Sequence, residues 1–252
     1  DALPISGTVL YDIRFPNAIQ REGEITVRFR AVPAGPLVVQ MARSSPGRYA
    51  LHEFAKNIYN VRATNAQGRP LAVNRISPHA WRVSGHSGTV NFHYTLFADR
   101  ADGTYAGIDQ TRAHLNMPAT FAFAPSLATR PIQITFTPPD TSWRIATQLQ
   151  PTSDPRTFRA PHLQYFFDSP THLGKLDIRS WEVTSGGRTQ TIRLAVNHTG
   201  TADQVTQFTE HTKRVVNEMA AVFGELPQFD YGTYTFISCY RANCAGDGME
   251  HR

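Results

Sequence analysis

"DIRSWEVTSGGRTQTIRLAVNHTG", Asp177–Gly200, runs directly into "TADQVTQFTEHTKRVVNEMAAVFGELP", Thr201–Pro227, and between the two the chain changes period. The first stretch alternates polar and apolar residues, as a strand with one buried face does; the second spaces its apolar residues three and four apart, as a helix does. Thr201 stands as an N-cap with Gln204 three residues on, and Gly224 and Pro227 follow the last apolar position, so both helix ends are signalled. Val205, Phe208, Val215, Val216, Met219, Val222 and Phe223 fall on one stripe, which predicts a core-facing side. "YGTYTFISCY", Tyr231–Tyr240, then reads as a strand, and "RANCAGDGMEHR", Arg241–Arg252, as a glycine-containing loop.

Upstream, the text is a succession of short alternating segments. "GTVLYDIRF", "EITVRFRAV", "PLVVQMA", "NIYNVRAT", "AWRVSG", "TVNFHYTLFA", "TFAFAPS", "PIQITFTPP" and "WRIATQL" all read as strands. "NAQGRP", "SGHSG" and "TPPDTS" supply turns. Regular spacing of strands and turns predicts a mainly β N-terminal domain, an antiparallel sandwich or a related multi-sheet arrangement.

Composition agrees. The chain has 252 residues, of which 40% are hydrophobic and 18% charged, with 17 prolines and 17 glycines. That is enough apolar material for ordinary cores and favours strands and turns over helices. The net charge of +5 would suit an acidic partner, but the arginines are scattered singly through strand-like segments, without a basic run or a stacked aromatic ladder. A nucleic-acid partner is not expected. No apolar run approaches the roughly twenty residues that span a bilayer, so no membrane partner is expected either. The chain opens on Asp1, which fits a mature or trimmed form after export.

Cys239 and Cys244 are the only cysteines. They are too few for a structural zinc site and leave two readings open, a small disulfide loop or two buried free thiols. The disulfide would fit a periplasmic or secreted setting.

"LHEFAKN", Leu51–Asn57, has the first four letters of a His-Glu-x-x-His zinc helix, but Lys56 stands where the second histidine belongs. A protonated lysine is a poor zinc ligand, so Phe54 and Ile58 are expected to pack while His52, Glu53 and Lys56 lie near the surface. His198 and His211 have no second ligand in spacing and read as ordinary packed or exposed histidines. Asn197 begins an Asn-His-Thr glycosylation triplet that chance explains. Asp99, Asp102 and Asp109 do not have EF-hand spacing and read as a polar hairpin loop.

Chemistry is best sought in "GDGMEHR". Gly248 lets a ligand backbone approach closely, and Glu250 can pair with a protonated amine. The order of helix, "FGELPQFDYGTYTFIS" and "GDGMEH" resembles the glycyl aminopeptidase family of zinc metallopeptidases, thermolysin-like enzymes with a Gly-Gly-x-Glu-His loop. "MARSSPGRYALHEFAKNIYNVRA" resembles that family's Pro-Gly-x-Tyr segment, and "YFFDSPTHLG" its Asp-Ser-Pro motif.

The resemblance covers nearly the whole chain and implies that Tyr105 or Arg112 faces the cleft. It implies a β-rich N-terminal domain over 1–185 and, over 186–252, the amino-terminal part of a thermolysin-like catalytic domain that stops before the zinc-binding helix. It further implies a zinc cofactor whose ligands and general base lie beyond residue 252, with no catalytic residue or metal ligand within this chain. A peptide substrate would be held by Gly248, Met249, Glu250 and His251, with Glu250 on its free amino terminus. Asp247 departs from the family's usual glycine, which puts tight substrate approach there in doubt. The implied function is a zinc-dependent aminopeptidase for small first residues such as Gly or Ala. By itself the chain would be inactive, with the remaining part of the catalytic domain as its partner. The alternative from strand-rich composition alone is a noncatalytic β-sandwich module binding peptide or glycan.

Overall fold

The computed structural model describes residues 7–46, 50–244, 246 and 248–251. Asp1, Gly47 and Tyr49 of the Pro-Gly-x-Tyr segment, Asp247 and Arg252 lie outside the described residues.

The first seven strands are β1 (Val9–Arg14), β2 (Glu22–Phe29), β3 (Leu37–Gln40), β4 (Ile58–Thr64), β5 (Pro70–Ser77), β6 (Ala80–Ser84) and β7 (Val90–Phe97). Then follow β8 (Gly107–Asp109), β9 (Arg112–Leu115), the short helix α1 (Met117–Thr120), β10 (Ile132–Thr137), β11 (Arg144–Thr147), β12 (Gln150–Pro151) and β13 (Thr157–Ala160). The chain continues through α2 (Leu163–Phe167), β14 (Thr171–Gly174), β15 (Asp177–Ser185), β16 (Arg188–His198), α3 (Ala202–Phe223) and β17 (Thr233–Tyr240).

The protein is mainly β, with few helices. A ten-stranded sheet has the order β12-β13-β10-β1-β2-β7-β4-β5-β6-β3, a four-stranded sheet the order β11-β14-β9-β8, and a three-stranded sheet the order β15-β16-β17. The large sheet is antiparallel except where β1 runs parallel to β10 in the register Val9↔Ile132, so it is mixed rather than wholly antiparallel. Alternation builds it: along β2 every second residue is buried, and Ile25, Val27 and Phe29 join Ile13, Phe92 and Leu96 in one core.

One segment read as a strand is not one. In "TFAFAPS" Thr120 closes α1 and Phe121–Ala124 runs extended with a single bridge, Phe123 to Gln40. The backbone there is satisfied by buried tyrosines instead of a ladder. The Tyr94 hydroxyl donates to the Thr120 carbonyl at 2.8 Å and accepts from the Ala122 amide at 2.9 Å, and the Tyr11 hydroxyl donates to the Ala122 carbonyl at 3.1 Å. Burial pushes both phenols' pKa upward, which keeps them protonated.

The change of period at Thr201 corresponds to a change of architecture. Strands β15 and β16 form a hairpin from Asp177 to His198, within which falls position 185, where the sequence reading divides the chain. β16, α3 and β17 then make a parallel pair with a helical crossover, the connection parallel strands need. The Thr201–Gln204 capping box forms with both of its hydrogen bonds, and Gly224 ends the helix. The apolar stripe of α3 is divided. Val205 and Val216 are buried against the three-stranded sheet and Phe208 partly so, but Val215, Met219, Val222 and Phe223 are exposed. The seven positions are thus not all core-facing, because the sheet covers only one side of the helix.

"LHEFAKN" is a structural turn. Glu53 has left-handed backbone, φ 47°, and Phe54–Asn57 forms a 3-10 turn, so no α-helical face exists on which residues 52 and 56 could share a metal. Phe54 is fully buried, with His52 stacked on it and Tyr105 edge-on. Arg43 pairs with Glu53, and Lys56 donates to the Tyr105 hydroxyl at 3.3 Å. Completing the motif with Lys56→His is therefore expected to leave Zn²⁺ affinity unchanged in equilibrium dialysis. By contrast Phe54→Ala should cost about 3–5 kcal/mol in urea unfolding, because it empties a packed site.

Candidate active site

The four-stranded sheet, the three-stranded sheet and the terminal loop meet around a cleft of about 530 Å³. One wall is the end of the four-stranded sheet, contributing His114 of β9, His172 of β14 and Pro170 just before it. The opposite wall is β17, lining the cleft from Tyr234 to Tyr240. Among the described residues this strand pairs only with β16 and is an edge of its sheet. Gly246, Gly248, Met249 and His251 close one end, and Ala101–Gly103 another.

Two side chains join the elements beneath the cleft. Gln148 donates to the Thr233 carbonyl at 2.7 Å, and Arg193 of β16 donates to the Thr147 carbonyl at 2.9 Å. Arg112 is almost wholly buried, 2% exposed, and does not line the cleft. Its guanidinium donates to the Asn243 carbonyl at 3.2 Å and to the sulfurs of Cys239 and Cys244, with Asp109 at 3.5 Å as its carboxylate partner. Burial pulls the Arg112 pKa down while Asp109 opposes that shift. Cys239 and Cys244 are joined as a disulfide, which closes the end of β17 onto the terminal loop.

Gly248, Met249 and His251 line the cleft; Glu250, between two lining residues, is exposed at the surface and does not. His251 Nδ1 lies 3.0 Å from Asp168 Oδ1, so the terminal loop is tied to the Asp-Ser-Pro motif, whose Pro170 also lines the cleft. Asp102 and Asp109 spend their carboxylates on the backbone of tight turns, at Thr104, Tyr105, Thr111 and Arg112. Tyr105 packs with His52 and Phe54 and is not in the cleft wall. Asn197 is completely buried, which rules out glycan attachment to the folded chain. His211 is exposed on α3, and His198 sits 4.0 Å from Asp177.

Sequence reasoning missed the pair His114 and His172. They are directly opposite on antiparallel strands, with Nδ1 atoms 3.3 Å apart. Their segments, "RAHLN" and "PTHLG", look alike, but nothing in either indicates the pairing. His172 is 1% exposed and, among the described residues, its Nε2 has no hydrogen-bond partner. Burial first, then the neighbouring His114, Arg112 and Arg241, pull its pKa well below the ordinary 6.5, so the ring is neutral at pH 7.

The cleft lies on a mainly β scaffold and is closed by a glycine-containing loop and an edge strand. Residues 10–175 match the family model described as the peptidase M61 N-terminal domain. That is more than half of the chain, and the chain belongs to this family. No curated protein sequence matches it. Among solved structures, the chain is similar to an aminopeptidase N family protein from Idiomarina loihiensis, with TM-score 0.81 and 21% identity, over 97% of this chain and 41% of that one. That likeness shows the fold, and the chain spans 41% of the length of that relative. A fainter likeness, TM-score 0.43 and 9% identity over 78% of this chain and 25% of the other, is to Legionella pneumophila aminopeptidase A in complex with aspartic acid.

The neutral His172 has a consequence for stability. Its folded pKa is below the unfolded value, so the unfolded chain binds more protons as the pH falls through 6.5, and stability is lost in that direction. His93, also pulled down by burial, acts with the same sign. Thermal melts at pH 7.5 and 5.5 should show a lower Tm at the acid value, and His172→Leu should reduce the difference. Separately, Asp168→Asn should loosen the loop's far end, read as faster amide hydrogen exchange at Met249–His251 with little change in global stability, since a partly exposed polar contact contributes only about 0–1 kcal/mol.

Proposed function

We propose that the chain is the amino-terminal part of a zinc-dependent aminopeptidase of the glycyl aminopeptidase type, with the start of a thermolysin-like catalytic domain from β15 onward. The observation that carries this reading is the placement of the Gly248–His251 loop: it closes a cleft against the free edge of β17 and is held there by the His251–Asp168 contact. Membership of a peptidase family supports it.

In this reading a peptide lies in the cleft along β17, whose unpaired backbone groups offer hydrogen bonds to an extended substrate. Gly248 and Met249 present backbone to it, and His251 holds the loop in place. Glu250 receives the ammonium of the free amino terminus. Its carboxylate is solvated in this chain, where an ion pair contributes only about 0–1 kcal/mol, so selectivity for a free amine depends on substrate or further polypeptide excluding water there. Small first residues, Gly or Ala, are the proposed substrates.

Among the described residues, no group of three or more histidine, cysteine, aspartate or glutamate side chains is placed to hold a metal. This reading places the zinc ligands in polypeptide beyond residue 252. The 252-residue chain is expected to hydrolyse nothing by itself, its partner being the remaining part of the catalytic domain. The Cys239–Cys244 disulfide supports a periplasmic or secreted setting.

In the full-length protein, Glu250→Ala should lower kcat/KM for glycyl and alanyl substrates by roughly 10- to 100-fold, the value of a hydrogen bond to a charged group, with the fold unchanged by circular dichroism. An unchanged kcat/KM, or equal cleavage of peptides with acetylated amino termini, would overturn the assignment. Activity that survives chelation and zinc removal would overturn the metallopeptidase reading itself.

A further inference from the structure

We propose that His114 and His172 form a two-imidazole chelate for a borderline divalent cation such as Zn²⁺, Ni²⁺ or Cu²⁺, opening on the cleft. The Nδ1 atoms are 3.3 Å apart across directly opposed strand positions. Tetrahedral zinc with Zn–N bonds of about 2.0–2.1 Å requires its nitrogens to be about 3.3–3.4 Å apart. The two rings are thus already at the spacing of one edge of a coordination tetrahedron, on strands whose pairing fixes the distance.

The chemistry of the pair points the same way. Without a cation, the two Nδ1 atoms share one hydrogen, so only one of them offers a lone pair. A cation uses both Nδ1 lone pairs at once. Burial keeps His172 neutral, which is the form that ligates. Imidazole donors select zinc, nickel and copper over magnesium and calcium. Both rings line the cleft, so the remaining coordination positions face space that water or a ligand's carboxylate can fill. His198 lies beside Asp177 at 4.0 Å and His251 beside Asp168 at 3.0 Å, each a histidine with a carboxylate and not a second imidazole.

The inference stands apart from the peptidase reading, because its ligands are within this chain and it is tested on the chain alone. The tag-free, chelator-stripped 252-residue protein is titrated with Zn²⁺ by calorimetry and with Co²⁺ by visible absorption. One saturable site with a roughly micromolar Kd and a tetrahedral Co²⁺ spectrum is expected. His114→Asn and His172→Asn should each weaken binding by at least about tenfold, while His198→Asn and His211→Asn leave it unchanged. His114 is less buried than His172, so its variant decides the matter if His172→Asn fails to fold. Absence of saturation below ~1 mM, several weak equivalent sites, or tight binding that survives His114→Asn would overturn the proposal.

Discussion

A cation buried at the junction of two sheets constrains the rest of this molecule. Arg112 carries an ungiven-up charge into a site that is 2% exposed, and a guanidinium has five donors and no acceptor. It is tolerated because the four-stranded sheet supplies Asp109 and the terminal loop supplies the Asn243 carbonyl and two sulfurs. Removing any one side would leave charge in low dielectric, so the loop after β17 is held against β9 by the need to satisfy Arg112. The disulfide adds a covalent limit on how far that loop departs from the strand.

From this junction the cleft follows. β9 brings His114 and, through its pairing with β14, His172; the same β14 is preceded by Asp168, Ser169 and Pro170. Asp168 then holds His251, so the last described residue of the chain returns to a motif about eighty positions earlier. The Asp-Ser-Pro motif therefore has a definite physical task. It ends α2, it buries Ser169 with its hydroxyl donating to the Tyr165 carbonyl at 2.8 Å, and it presents the carboxylate that fixes the glycine loop.

The β17 wall owes its availability to topology. The βαβ connection places β17 at the outer edge, and α3 covers one face of the three-stranded sheet while the other looks toward the cleft and β11. An unpaired strand edge is normally a hazard. Here the cleft, the Gln148 hydrogen bond and the terminal loop shelter it. The exposed Val215, Met219, Val222 and Phe223 of α3 lie on the side of that helix away from the sheet.

What the sequence determined by itself is whatever short-range chemistry decides. Thr201, Gln204, Gly224 and the three-four spacing specify α3 to within a residue, because caps and periodicity act over a few bonds. The alternation in "EITVRFRAV" and "TVNFHYTLFA" specifies β2 and β7 for the same reason. "LHEFAKN" was legible as packing through its misplaced Lys56. Tertiary structure alone decided the rest. "TFAFAPS" has the letters of a strand and was denied a ladder by the hydroxyls of Tyr94 and Tyr11, which come from distant strands. Four of the seven α3 stripe residues face outward because stripe and cover are separate matters. His114 and His172 are 58 residues apart, and Asp168 and His251 are 83 apart. Nothing local to either residue encodes its partner, since strand register and loop closure are set by the whole core that they surround.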